Sequence, residues 1–153
     1  MTEAPTILLV HGPNLNMLGE RNPAVYGRTT LLDIEADVAA AVNERGGSVM
    51  CFQSNSEGAL IDFLQEHRRL ASGVIINAGA WTHTSVALRD ALEAIELPCV
   101  EVHISNTHAR EEFRHRSLIA SACIGQVTGL GRDGYTTATQ LLLDSLARPP
   151  GQQ

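Results

Sequence analysis

Thr6-Ile7-Leu8-Leu9-Val10-His11-Gly12-Pro13 is a continuous apolar run closed abruptly by an imidazole, a glycine and a proline. A run without polar alternation suits a strand covered on both faces, as in a parallel sheet flanked by helices. Residues 30–45 follow with Leu31, Ile34, Val38, Ala41 and Val42 at helical spacing. Thr30 and Asp33 make a capping-box-like start to that helix, and Gly46 its stop. Strand-like segments at 49–53, 74–77, 99–103 and 123–128 then alternate with helical segments at 56–70, 84–95 and 135–147. One further short helix is expected around 109–116.

This alternation predicts an α/β protein with a doubly wound, five-stranded parallel sheet between two helical layers, because right-handed crossovers place helices on both faces. The expected strand order is 2-1-3-4-5. In such a sheet the ligand site lies beyond the carboxyl ends of the strands, at the crevice between strands one and three where the winding reverses. No repeat, linker or low-complexity tract divides the 153 residues, so they are read as one domain, with 148–153 as a loose tail.

Composition narrows the function. The chain is 44% hydrophobic and 18% charged, far from a disordered composition. With a net charge of −6 and no basic run, it lacks the electrostatic footprint of a nucleic-acid binder. All 11 basic residues are arginines, so chemistry that needs a lysine, such as an imine or a Walker-type phosphate loop, is excluded. Cys51, Cys99 and Cys123 lie in apolar stretches without a CxxC pair and read as buried free thiols in a reducing cytoplasm. The opening MTEAPTILLVHG has no basic region and too short an apolar run for a signal peptide or membrane span.

The unusual polar chemistry clusters in loops leaving the carboxyl edge: 11–27, 77–85 and 101–114. The first is longer than the two to six residues usual for such a loop and reads as a lid or binding loop. On it, Arg21 and Tyr26 are flanked by Gly19, Pro23 and Gly27. A guanidinium about 4 Å from a tyrosine hydroxyl favours the phenolate by about 4 kcal/mol at an effective dielectric near 20, enough to make a base near neutral pH. Taken alone, a tyrosine beside an arginine is more often simple stacking. Glu101 and His103 alternate along the fourth strand and share a face, so the carboxylate can hold the imidazole while its other nitrogen meets a ligand as a general acid. A satisfied strand-end histidine is the plainer alternative for an isolated residue, but Asn77 and His83 lie on a companion loop.

His83, His103, His108, His115 and Glu111 are possible metal ligands, yet none has HExxH spacing, and a solvated helix explains the last three. GLGRDG at 129–134 matches GxGxxG but follows the last strand, so turn glycines ahead of a helix account for it better than a dinucleotide loop.

At GPNLNMLGERNPAVYG (12–27), NAGAWTHTSVALRD (77–90) and EVHISNTHAREEFRHRS (101–117) the sequence resembles the type II 3-dehydroquinate dehydratases. That resemblance implies a flavodoxin-like fold and the anti elimination of water from 3-dehydroquinate through an enolate to 3-dehydroshikimate. The step belongs to the shikimate route to aromatic amino acids and to quinate breakdown, and it needs no metal, cofactor or imine. Residue by residue, Tyr26 would remove the C2 proton with Arg21 beside it, and Asn14 would hold the water that stabilises the enolate. His103 would protonate the departing C1 hydroxyl with Glu101 orienting its ring. Asn77 and His83 would bind substrate hydroxyls, and Arg114 with the backbone of Ile104 and Ser105 the carboxylate or nearby oxygens. Asp90 would reach a neighbouring subunit's site, in a dodecamer built from trimers, and Arg110 is a further, weaker candidate. Trp81 and the Arg132-Asp133 pair depart from the family pattern. A metal-dependent hydrolase and a noncatalytic anion-binding module using Arg21, Arg110 and Arg114 are the alternative classes.

Overall fold

The computed structural model describes residues 3–20 and 22–152, with Tyr26 described in its backbone alone. Strands β1 (Thr6–His11), β2 (Ser48–Gln53), β3 (Gly73–Asn77), β4 (Cys99–His103) and β5 (Gly125–Thr128) form one sheet in the order β2-β1-β3-β4-β5, every pair parallel. The helices are α1 (Pro23–Tyr26), a single turn, then α2 (Leu31–Glu44), α3 (Glu57–His67), α4 (Val86–Ala94) and α5 (Asp133–Ala147).

Alternation along β1 divides the core into two layers. Ile7 and Leu9 pack with Ile34, Val38 and Val42 of α2 and with Tyr135, Ala138 and Leu142 of α5. Leu8 and Val10 face the other way, against Leu60 and Leu64 of α3 and Leu88 and Leu92 of α4. Both faces of the central strands are therefore covered, which is why they read as unbroken apolar runs, and each fully buried Leu or Ile contributes about 1.5–3 kcal/mol.

The helix starts follow their caps. Thr30 Oγ1 accepts from Asp33 N–H (3.2 Å) and Asp33 Oδ2 from Thr30 N–H (2.9 Å), closing the capping box. Ser56 and Ser85 cap α3 and α4 with their hydroxyls. At the winding reversal Gly12 N–H donates to Asn77 O at 2.7 Å, and a Cβ on Gly12 would sit 2.2 Å from Ala78 O. Only glycine lets the two loops approach so closely.

Two expectations need correction. The segment around 109–116 is not a helix but two 3₁₀ turns, Thr107–Ala109 and Glu112–Arg114. Arg110 and Glu111 between them are extended, and the His115 ring binds the Arg110 carbonyl (3.0 Å), a local bond that competes with helix continuation. Among the cysteines, Cys99 is buried and Cys123 half-buried, but Cys51 is exposed because β2 is an edge strand. The 129–134 glycines turn the chain into α5, and Arg132 pins that turn to α2 through a bidentate pair with Asp37. Beyond α5 the chain has neither helix nor strand through residue 152, and no helix among the described residues is long and apolar enough to cross a membrane.

His11 ends β1 on the α2/α5 face, fully buried, with neither ring nitrogen hydrogen-bonded. Burial holds its pKa down at about 4, against an ordinary value near 6.5, and Glu35 Oε1 at 3.9 Å is too far to reverse this. Between those values the unfolded chain binds a proton that the folded chain does not, so stability is full above about pH 6.5 and falls toward pH 4. The loss is about 1.4 kcal/mol per pH unit, roughly 3 kcal/mol across the window. Thermal melts from pH 7 to 4.5 check this: the wild-type Tm falls more steeply than that of His11→Gln, which has no titrating ring.

Candidate active site

The carboxyl ends of β1, β3 and β4 open on a cleft of about 200 Å³. Asn14 lines it from the first loop, Asn77 and His83 from the loop after β3, and His103, Ile104, Ser105 and Arg114 from the end of β4 and the loop beyond. Arg110 lines it too and donates from Nη1 to Ser105 Oγ (3.3 Å). A wider opening of about 530 Å³ adjoins it, sharing Ile104, Ser105 and Arg110 and bounded by Val25 and Gly27.

Glu101 and His103 sit on the α3/α4 face of β4, both buried, with the His103 Nε2 against Glu101 Oε2. Nδ1 is thus the ring nitrogen the carboxylate does not engage. Glu101 has two further donors: Ser117 Oγ to Oε1 at 2.7 Å and Gln126 Nε2 to Oε2 at 2.7 Å. The strand register sets Gln126 of β5 beside Glu101. Burial pushes the carboxyl up, but the bonds from His103, Ser117 and Gln126 outweigh it, and its pKa lies below the usual value. Glu101 is therefore an ionised group with fixed donors, suited to orienting an imidazole.

Asn77 is buried with its amide fully oriented. Gly79 N–H donates to Oδ1 (3.1 Å) while Nδ2 donates to Tyr135 Oη (2.8 Å). His83 Nδ1–H donates to Arg116 O (2.8 Å), which fixes its tautomer, and its ring lies 6.4 Å from that of His103. Asn14 adopts a left-handed conformation (φ 70°), a conformation asparagine tolerates, and its N–H is held by Asn55 Oδ1 at 2.9 Å. Arg114 is engaged by Glu111 at the rim.

Arg21 and the Tyr26 side chain lie outside the described residues. Asp90 is exposed on α4 and does not line the cleft of its own chain. Trp81 packs against the α3/α4 core rather than lining the cleft. His108 and His115 have ring centres 5.9 Å apart outside the cleft. Among the described residues no group of three His, Cys, Asp or Glu side chains is placed to hold a metal ion. Sequence reasoning missed Asn55, Ser117, Gln126 and Tyr135, whose contacts span 16 to 58 residues. Two of them had a signal: Asn55 by its place in a loop at the carboxyl edge, and Ser117 by closing the stretch 101–117.

Fold and cleft together define a flavodoxin-like α/β protein with a buried carboxylate–imidazole pair and guanidinium groups around a small polar cleft. The family model for dehydroquinase class II matches residues 5–143, and the chain belongs to that family. It is 57% identical over 137 residues to the 3-dehydroquinate dehydratase of Rhizobium johnstonii, covering 90% of this chain and 94% of the relative. It is 50% identical over 142 residues to that of Halothermothrix orenii, covering 93% and 96%. The crystal structure of type II dehydroquinase from Butyrivibrio crossotus superposes with a TM-score of 0.88 at 42% identity, covering 91% of this chain and 97% of that one.

Because Glu101 is buried and ionised, Ser117→Ala should lower the unfolding free energy by about 2 kcal/mol at pH 7. A group with a depressed pKa stabilises above its unfolded value and loses that contribution as pH falls through its folded value. Urea titrations should therefore show the difference from wild type narrowing as the pH is taken below the usual carboxylate range.

Proposed function

We propose that the chain is a 3-dehydroquinate dehydratase, a hydro-lyase forming 3-dehydroshikimate by anti elimination. The observation that carries this reading is the buried Glu101–His103 pair at the edge of a cleft also lined by Asn77, His83 and Arg114. Membership in the dehydroquinase class II family supports the same substrate. Tyr26, as phenolate beside Arg21, takes the C2 proton, and the electron pair passes into the C3 carbonyl to give an enolate. Asn14 holds the water that stabilises this charge. As the enolate collapses, the C1–O bond breaks and His103, oriented by Glu101, protonates the departing hydroxyl. Water leaves, and the new double bond is conjugated with the ketone.

Asn77 and His83 bind ring hydroxyls, while Arg114 and the backbone at Ile104 and Ser105 receive the carboxylate or nearby oxygens. No step requires a metal, a cofactor or a lysine. The exposed position of Asp90 on α4 is compatible with its serving a neighbouring subunit, in a dodecamer built from trimers. The reduced thiols suit a cytoplasmic enzyme.

The reading is tested by following ultraviolet absorbance of the protein with 3-dehydroquinate and EDTA. A steady rise from the conjugated enone is expected, and no rise from folded, oligomeric protein would favour the anion-binding module instead. Tyr26→Phe and His103→Ala should each lower kcat by about 10²–10⁴-fold while substrate still binds. Near-wild-type turnover in either would remove that residue from its role. Light scattering tests the assembly: a monomer with full activity would overturn it.

A further inference from the structure

The direction of the Asn77 amide is determined from within the core. Gly79 N–H can only donate, so the amide atom it meets is oxygen, and the branch against Tyr135 is the NH₂ group. The Tyr135 hydroxyl oxygen thus accepts from Asn77, and its own proton must find an acceptor inside a fully buried environment. Burial also raises the pKa of this hydroxyl, so it keeps that proton.

The ring facing Tyr135 is His11, with ring centres 6.3 Å apart and planes inclined at 54°. His11 stands beside Asn77 in the β1–β3 register, is fully buried, and has no partner on either nitrogen. The other groups around it are Glu35 of α2, with Oε1 3.9 Å from Nε2, and Gln53, its register partner on β2, whose amide donates to Gly12 O and Asn55 Oδ1. The ring is neutral near pH 7 and offers one lone pair and one N–H.

We infer that Tyr135 is a positioning residue: it fixes Asn77 so that Asn77 presents an N–H donor to a hydroxyl oxygen of the substrate, while the His11 ring that faces it carries no hydrogen bond. Tyr135 does not touch substrate and acts through Asn77. The inference rests on the reading of Asn77 as a substrate contact.

A double-mutant cycle tests it. kcat and KM for 3-dehydroquinate are measured for wild type, Asn77→Ala, Tyr135→Phe and the double variant, with Tm recorded for each. Tyr135→Phe should lower kcat/KM by about tenfold, the loss of one hydrogen bond, chiefly through KM. In the Asn77→Ala background the same change should cost less than about twofold. Losses that multiply, with Asn77→Ala itself impaired, overturn this inference alone. An Asn77→Ala enzyme with unchanged kcat/KM would remove the substrate contact from which it starts.

Discussion

An ionised carboxylate with no solvent exposure is costly unless the fold surrounds it with donors, and Glu101 imposes that requirement on the whole carboxyl edge. One donor comes from its own strand, His103, one from the neighbouring edge strand, Gln126, and one from the loop after the 3₁₀ turns, Ser117. Each donor fixes a different segment. Gln126 ties the short strand β5 to β4, and Ser117 also accepts from Ala120 N–H, holding the loop that leads back toward β5. The same bonds that keep Glu101 charged hold the His103 ring against the cleft. Stability and chemistry are therefore coupled through one carboxylate, and a change to any of its donors acts on both.

The fold was legible because its signals are local. Caps at Thr30, Ser56 and Ser85 stand three residues ahead of the backbone groups they satisfy, and the unbroken apolar run of β1 could only be covered on both faces. Glu101 and His103 were legible for a similar reason, since two positions apart on a strand is one face. The expectation of a helix near 109–116 failed because side-chain bonds to backbone, at Asn106 and His115, broke the segment into two tight turns. Cys51 was misjudged because apolar neighbours do not distinguish an edge strand from a central one.

What remained hidden was tertiary. Nothing about Tyr135 at the start of α5, 58 residues from Asn77, marks it as the partner of a cleft residue rather than an aromatic core filler. The same is true of Gln126, which on an exposed strand edge has the composition of ordinary surface. Register makes it a partner of Glu101, and register is a property of the assembled sheet.

The two faces of the sheet divide the site between them. Glu101 and His103 project with Cys99 toward α3 and α4, whereas His11 and Asn77 continue the Ile7–Leu9 and Ile75 rows toward α2 and α5. The proposed general acid with its orienting carboxylate and the Asn77 amide are therefore supported by different core layers and meet only at the strand ends. The close approach of Gly12 to Ala78 brings those ends together, since a Cβ there would force the β1 and β3 loops apart and widen the gap between Asn14 and Asn77. A rigid backbone contact thus sets the spacing of the β1 and β3 loops, from which Asn14 and Asn77 line the cleft opposite the separately buttressed His103, and this is how a small chain can hold several polar groups in register around one small molecule.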